Sequence, residues 1–320
     1  MISLDFELYW GVRDMMTISQ YKDNLLGVRQ AIPGILKLFQ EFDIHATWAT
    51  VGLLFFDSKG ELLKHLPENK PEYTDQSFSP YLAIEHIGSS EQEDPFHYGL
   101  SLIEKINSVP NQEIGTHTFS HYYCLEKGQL KEQFRDDLKA AINIAKVRNA
   151  EVKSLVFPRN QVNPDYLSIC RDLGILCYRG NEHSWLYRPD CTREESVFKR
   201  ALRLIDSYVN LSGHHSYSIN SIYAQTSPVN IPSSRFLRPF NPRLNVLNQL
   251  RLKRIINSLT FAAKNGQVYH LWWHPHNFGT YLGENLAMLR VILEHYCLLK
   301  KKYGMESVSM GKLAEELINP

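Results

Sequence analysis

Short apolar runs alternate with longer amphipathic stretches along this chain, and the apolar runs end in residues able to do chemistry. Residues 2–6 read as a strand that leads directly into Asp5 and Glu7, and residues 45–51 read as a second. Residues 113–116 read as a third strand that ends at His117, and residues 154–157 as a fourth that ends at Pro158-Arg159. Residues 175–178 read as a fifth, followed by a segment that reaches Trp185. Residues 267–272 precede Trp273-His274-Pro275-His276, and residues 306–309 read as the last strand. Helical periodicity fills the intervals at 21–42, 97–109, 129–149, 164–173, 194–209, 244–264, 284–303 and 310–318, with 52–66 helix-like. Pro33 predicts a kink or a break in the first of these helices. Strand–helix alternation predicts a parallel α/β architecture. Chemical side chains at the C-terminal ends of successive strands are the placement of a barrel active site. The expected fold is therefore α/β, a distorted, TIM-like (β/α)7 barrel.

Two segments break the rhythm. Residues 67–95 are rich in Pro, Ser, Glu and Asp and read as a long insertion or lid after the second strand. Residues 211–242 are polar and read as an irregular substrate loop. With no repeat or low-complexity tract, residues 1–320 are expected to form a single catalytic domain. The formal net charge of +1 gives no global field favouring nucleic acid or an anionic membrane. No apolar run approaches the ~18 residues of a membrane-spanning helix. The first residues are too short and too acidic for a signal peptide, which leaves open a leader removed upstream. Five scattered cysteines without a Cys-x-x-Cys pair argue against a disulfide frame or a cysteine zinc site. A reducing cytoplasmic setting, at most at the inner face of the membrane, fits best.

The chemistry concentrates in Glu113-Ile-Gly-Thr-His117-Thr-Phe-Ser-His121. Two imidazoles four residues apart share a face if the segment forms a helical turn, and two neutral imidazoles are half of a site for zinc or a similar metal. Two solvated loop histidines would give the same spacing, so the motif needs company. Asp5 and Glu7 supply it: two apart at a strand end, they suit metal ligation plus general-base work. Asp136 and Asp137 read as the solvated face of the helix at 129–149.

Taken together, Leu4-Asp5-Phe6-Glu7, His45-Ala-Thr-Trp-Ala-Thr-Val-Gly52, His117-Thr-Phe-Ser-His121, Phe157-Pro158-Arg159 and His270-Leu-Trp-Trp-His274-Pro275 resemble the motifs of the polysaccharide deacetylase family (NodB homology domain, carbohydrate esterase family 4). The resemblance runs over nearly the whole length. It implies a NodB-like barrel that binds one divalent metal ion, zinc first, with cobalt, nickel or manganese as substitutes. It implies hydrolysis of an N- or O-acetyl group on a sugar. Carried over, His117, His121 and Glu7 are the metal ligands, Asp5 the base and His274 the general acid. The chain has Asp5-x-Glu7 where family members have two aspartates, and the reverse assignment of Asp5 and Glu7 stays open. Arg159 resembles the arginine that pairs with the base, although the family order is Arg-x-Pro and here it is Pro158-Arg159. Trp185 resembles the tryptophan beside the last histidine, and His276 packs behind the site or lies at the surface.

Tyr9, Trp10, Asn160, Trp185 and Trp273 are the candidate sugar contacts. Arg235 and Arg238, in the loop 232–239, could clamp a phosphate. The expected partner is an acetylated sugar, a glycan or a phosphate-linked sugar precursor of a surface polysaccharide. Two alternatives remain: a deformylase or other C–N amide hydrolase on the same residues, and an inactive carbohydrate-binding homologue.

Overall fold

The computed structural model describes residues 1–187, 197–223 and 227–318. Ten strands are present among them: β1 (Ile2–Phe6), β2 (Ala46–Thr50), β3 (Gln112–Thr116), β4 (Ser154–Leu155), β5 (Cys177–Gly180), β6 (Tyr217–Ser218), β7 (Val229–Pro232), β8 (Arg235–Phe236), β9 (Gln267–Val268) and β10 (Leu271–Trp273). Eight join in one sheet in the order β7-β5-β4-β3-β2-β1-β10-β8, and every pairing in it is parallel. β6 and β9 pair antiparallel outside it.

The two ends of that order belong to one stretch of chain. β7 runs beside β5, and Ser233 N still donates to Gly180 O (2.9 Å). One residue later Ser234 N donates to His270 O (2.8 Å), and Leu237 N then donates to Trp272 O (2.7 Å). The backbone thus crosses from β5 to β10 within two residues and closes the ring. Counted as passes of chain, seven strands make a distorted (β/α)7 barrel.

Alternation along β1 sorts its side chains. Ile2, Leu4 and Phe6 point outward into the main core, where Val28, Ile32, Ile35 and Phe39 of the helix Ile18–Glu41 pack with them. Ser3 and Asp5 take the opposite, barrel face and bond Arg179 there. The helix runs through Pro33 without the expected break. It lies very close to the loop after β10: a Cβ on Gly27 would stand 1.9 Å from Gly279 O, and one on Gly279 2.0 Å from Asn24 O. Only glycine at both positions permits this approach, which fixes the loop carrying His274 and His276.

Three expectations are corrected. Residues 306–309 form no strand; Ser307 Oγ instead accepts from His45 N (3.0 Å). Residues 52–66 split into a 3-10 turn (Gly52–Phe55) and a helix (Lys59–Lys64). Residues 211–242, read as an irregular loop, contain β6, β7, β8 and the short helix Asn220–Tyr223. The helix expected at 194–209 is present as Val197–Asp206, its first residues lying outside the described ones. Within the insertion 67–95, Tyr73 and Phe78 cluster with Tyr123, so this segment packs on the loop after β3. No helix among the described residues is long and apolar enough to cross a membrane.

Candidate active site

His117 follows β3 directly, and the chain from there to His121 is a loop, not the helical turn expected from the spacing. Thr118 (φ 62°) and His121 (φ 57°) both take the left-handed backbone conformation, which turns the two rings toward each other at 4.9 Å between centroids. Such backbone costs energy in non-glycine residues and persists only where surroundings impose it. Asp137 does so here. Far from solvated, it is fully buried, and its carboxylate accepts from Phe119 N (2.7 Å), Ser120 N (3.1 Å) and the Ser120 hydroxyl.

The Nε2 atoms of His117 and His121 lie 3.3 and 3.1 Å from the same Glu7 oxygen, Oε2. All three side chains are buried, and their ligand atoms lie within 4.8 Å of one another. His117 Nδ1 contacts Val156 O at 2.8 Å, which orients the ring with Nε2 toward Glu7; with an ion bound, donation from Nδ1 would free the Nε2 lone pair for it. Burial pulls His121 down to about 4, against the opposing pull of Glu7, so it is a neutral imidazole at neutral pH. Burial pushes the Glu7 carboxyl up, but charge on His274 and bonds from His117 and His121 outweigh it and hold Glu7 well below the usual range. Gly11 leaves room for that carboxylate, since a Cβ there would stand 2.0 Å from Glu7 Cδ. The donor set fits a divalent ion: metal–ligand bonds of about 2.0–2.1 Å in a tetrahedron give edges of roughly 3.3 Å, and Glu7 lies 3.3 and 3.1 Å from the two imidazole nitrogens.

Asp5 stands beside this triad. Arg179, on β5, grips it through two parallel bonds, Nη1 to Oδ1 and Nη2 to Oδ2, each 2.7 Å. Asn160 Oδ1 accepts from the same guanidinium (3.0 Å), which stacks 4.1 Å from the Trp272 ring centroid. Burial pushes the Asp5 carboxyl up, yet Arg179 and then His117 outweigh it and hold the group below its ordinary value. The expected partner, Arg159, is elsewhere: it bonds Asp14 and lies 4.5 Å over the Tyr123 ring. Sequence order pointed to Arg159 because it follows a strand end. Arg179 also follows a run read as a strand, 175–178, and was passed over because the motif resemblance was matched to Phe157-Pro158-Arg159; the structure places it within β5.

His274 completes the group. Its Nε2 lies 3.8 Å from Asp5 Oδ2 and 3.6 Å from Glu7 Oε1, and its side chain keeps 23% exposure while both carboxylates have 3%. Phe236 and Trp272 flank the ring, each at 5.7 Å, and the buried His276 stacks on it at 4.9 Å. The flanking tryptophan is therefore Trp272, and Trp185 is instead exposed. Three further expected contacts are corrected. Trp10 and Trp273 are fully buried and present no face to a sugar. Arg235 is buried on Asp206 (3.2 Å). Tyr9 is partly exposed with its hydroxyl on Met16 O, Asn160 serves Arg179, and Arg238 lines a neighbouring cavity.

A closed parallel barrel with two histidines and two carboxylates gathered at its strand ends defines the class, a (β/α)7 barrel with a candidate metal centre. No family model matches the chain, and no curated protein matches it. Solved structures do. A Mycobacterium smegmatis protein assigned as a polysaccharide deacetylase aligns over 99% of this chain and 88% of its own, with 14% identity and a TM-score of 0.58. A Pseudomonas aeruginosa protein assigned likewise covers 98% and 88%, with 13% identity and a TM-score of 0.53. The allantoinase PuuE also covers 98% and 88%, with 14% identity and a TM-score of 0.55. The fold is the one that these polysaccharide deacetylase and allantoinase structures share.

Proposed function

We propose that the chain is a metal-dependent hydrolase that removes an acetyl group from the nitrogen or oxygen of a sugar, in a surface polysaccharide or its precursor. One observation carries this reading: contacts under 4 Å join Glu7 to His117 and His121, Asp5 to Arg179, and His274 to both carboxylates. Glu7, His117 and His121 would hold one divalent ion, zinc by its donor set. When bound, the ion supplies Lewis acidity toward the acyl oxygen and acidifies water.

The protein's own groups do the rest. Asp5 accepts the proton of the attacking water, and Arg179 keeps it ionised and aimed by occupying one lone pair on each oxygen. His274, partly exposed and facing both carboxylates, gives a proton to the departing amine or alcohol. This geometry favours Asp5 as base and Glu7 as ligand over the reverse, since Glu7 is the carboxylate in contact with both ligand imidazoles.

A second reading is hydrolysis of a formyl or other amide bond on the same centre, favoured by the fold shared with PuuE allantoinase. The test is metal analysis of the purified protein, then acetate and formate release from acetylated and formylated amino sugars, with and without chelator. Chelator-sensitive acetate release supports the first reading and formate release the second. Sugar binding without any turnover after metal is added would sink both.

A further inference from the structure

A cavity of about 500 Å³ adjoins the site on the side of His274. Tyr21, Asn24 and Asn277 form the shared wall. Tyr21 OH donates to Asn277 Oδ1 (3.3 Å), the Asn277 amide stands 3.4 Å from His274 Nδ1, and Asn24 Nδ2 donates to His276 O (3.0 Å). Arg238, Arg243 and Arg251 also line the cavity, together with the rings of Tyr208, Phe240 and Tyr281.

Among the described residues that line this space, three are arginines and none is acidic. Behind them Asp206 is already engaged by Arg235 (3.2 Å) and Arg254 (3.8 Å). Arg251 is buried, with Nη1 on Pro239 O and Nη2 on the Met288 sulfur. No described residue accepts a hydrogen bond from the half-buried Arg238 or forms an ion pair with it. Burial lowers Arg238 from its ordinary value; Tyr187 and Tyr208 oppose this, and the like charges of Arg203 and Arg235 add to it. A guanidinium held without an acceptor among like charges is costly unless something negative joins it. Its fork matches a phosphoryl group, whose two charges suit three arginines better than one carboxylate does. The asparagines and rings around it suit a sugar, and the volume falls in the range of small-molecule sites.

We propose that this cavity is a subsite for a phosphoryl group carried by the substrate, so that the sugar presented to Asp5 and His274 is phosphate-linked. The proposal rests on the deacylase reading for the reaction, and its test reads binding alone. Titrations of the metal-loaded protein would compare N-acetylglucosamine 1-phosphate, N-acetylglucosamine and inorganic phosphate. The sugar phosphate should bind about tenfold or more tighter than the neutral sugar, the size of one charge-assisted hydrogen bond, and tighter than phosphate. Arg238→Gln, which breaks no hydrogen bond in the fold, should erase that preference, and Arg238→Lys should keep part of it. Equal binding of the charged and neutral sugars, or an unchanged preference in Arg238→Gln, would overturn the proposal. So would inorganic phosphate binding as tightly as the sugar phosphate, which would mark a site for the free ion. Arg238-dependent binding with no acetate released in a separate assay would count against the deacylase reading and leave the subsite standing.

Discussion

His274 and Arg179 carry the sharpest residue-scale expectations. His274 touches neither His117 nor His121 among the ion pairs and ring contacts of the site, yet it faces both carboxylates. His274→Ala should therefore retain metal, measured by metal analysis, while kcat falls about 100-fold or more, the usual scale of an acid–base group. Retained kcat in that variant would remove His274 from the reaction. Arg179→Lys replaces a rigid two-pronged grip on Asp5 with a single point charge. It should cost about 100-fold in kcat with little change in KM, whereas Arg159→Lys should cost at least about tenfold less, because Arg159 acts on Asp14. Equal losses would restore Arg159 to the chemistry. The contrast shows what could be read from the chain alone. His117 and His121 announce each other across four positions, but the partner of Asp5 lies 174 positions away and only the closed barrel brings it there.

Elements hold the site in place through contacts that local patterns misassign. The loop from His117 to His121 has no helix of its own, and its backbone donors are met by Asp137 on the helix Lys131–Val147. Charge alone put Asp137 on the wet face; its spacing of three from Phe134 and four from Ala141 sets it on the buried side of the helix, where the structure has it. Asp137→Ala leaves two buried N–H groups and a hydroxyl without their acceptor, at about 1–3 kcal/mol for each unsatisfied group. The variant should lose about 3 kcal/mol or more in urea unfolding and bind zinc about tenfold or more weaker, since the positive φ at Thr118 and His121 is no longer imposed. Wild-type zinc affinity in Asp137→Ala would show that the loop holds its shape unaided. β7 and β8 were hidden for a related reason. Four residues and then two, split by Ser233-Ser234, are too short to show a period, and their pairing with β5 and β10 exists only in the assembled ring.

At the scale of the whole molecule, the pass that closes the barrel must also be tied to the helices outside it, and Asp206 makes that tie. It ends the helix Val197–Asp206, and its carboxylate takes the Tyr187 hydroxyl (2.7 Å), the backbone N–H groups of Leu211 and Ser212 (2.9 and 2.8 Å), and Arg235 on β8 (3.2 Å). Arg254, on the helix Asn245–Lys264, lies 3.8 Å away. Burial pushes Asp206 up, but Arg235 and the Tyr187 hydroxyl outweigh it, and the group titrates below the ordinary 3.8. The sign follows. Above about pH 4 the carboxylate is ionised in folded and unfolded chains alike, and its full contribution is present. As pH falls below that, the unfolded chain takes up the proton first, and the contribution is lost progressively toward the lower folded-state value. Asp206→Asn leaves Arg235 and Arg254 buried without a counter-charge, at a cost of about 3–5 kcal/mol near pH 7. Urea unfolding of the two proteins should therefore differ by that amount at pH 7 and progressively less below pH 4. A gap that stays constant across that range would mean that Asp206 holds the closing strand through shape and neutral hydrogen bonds, with its charge making no difference.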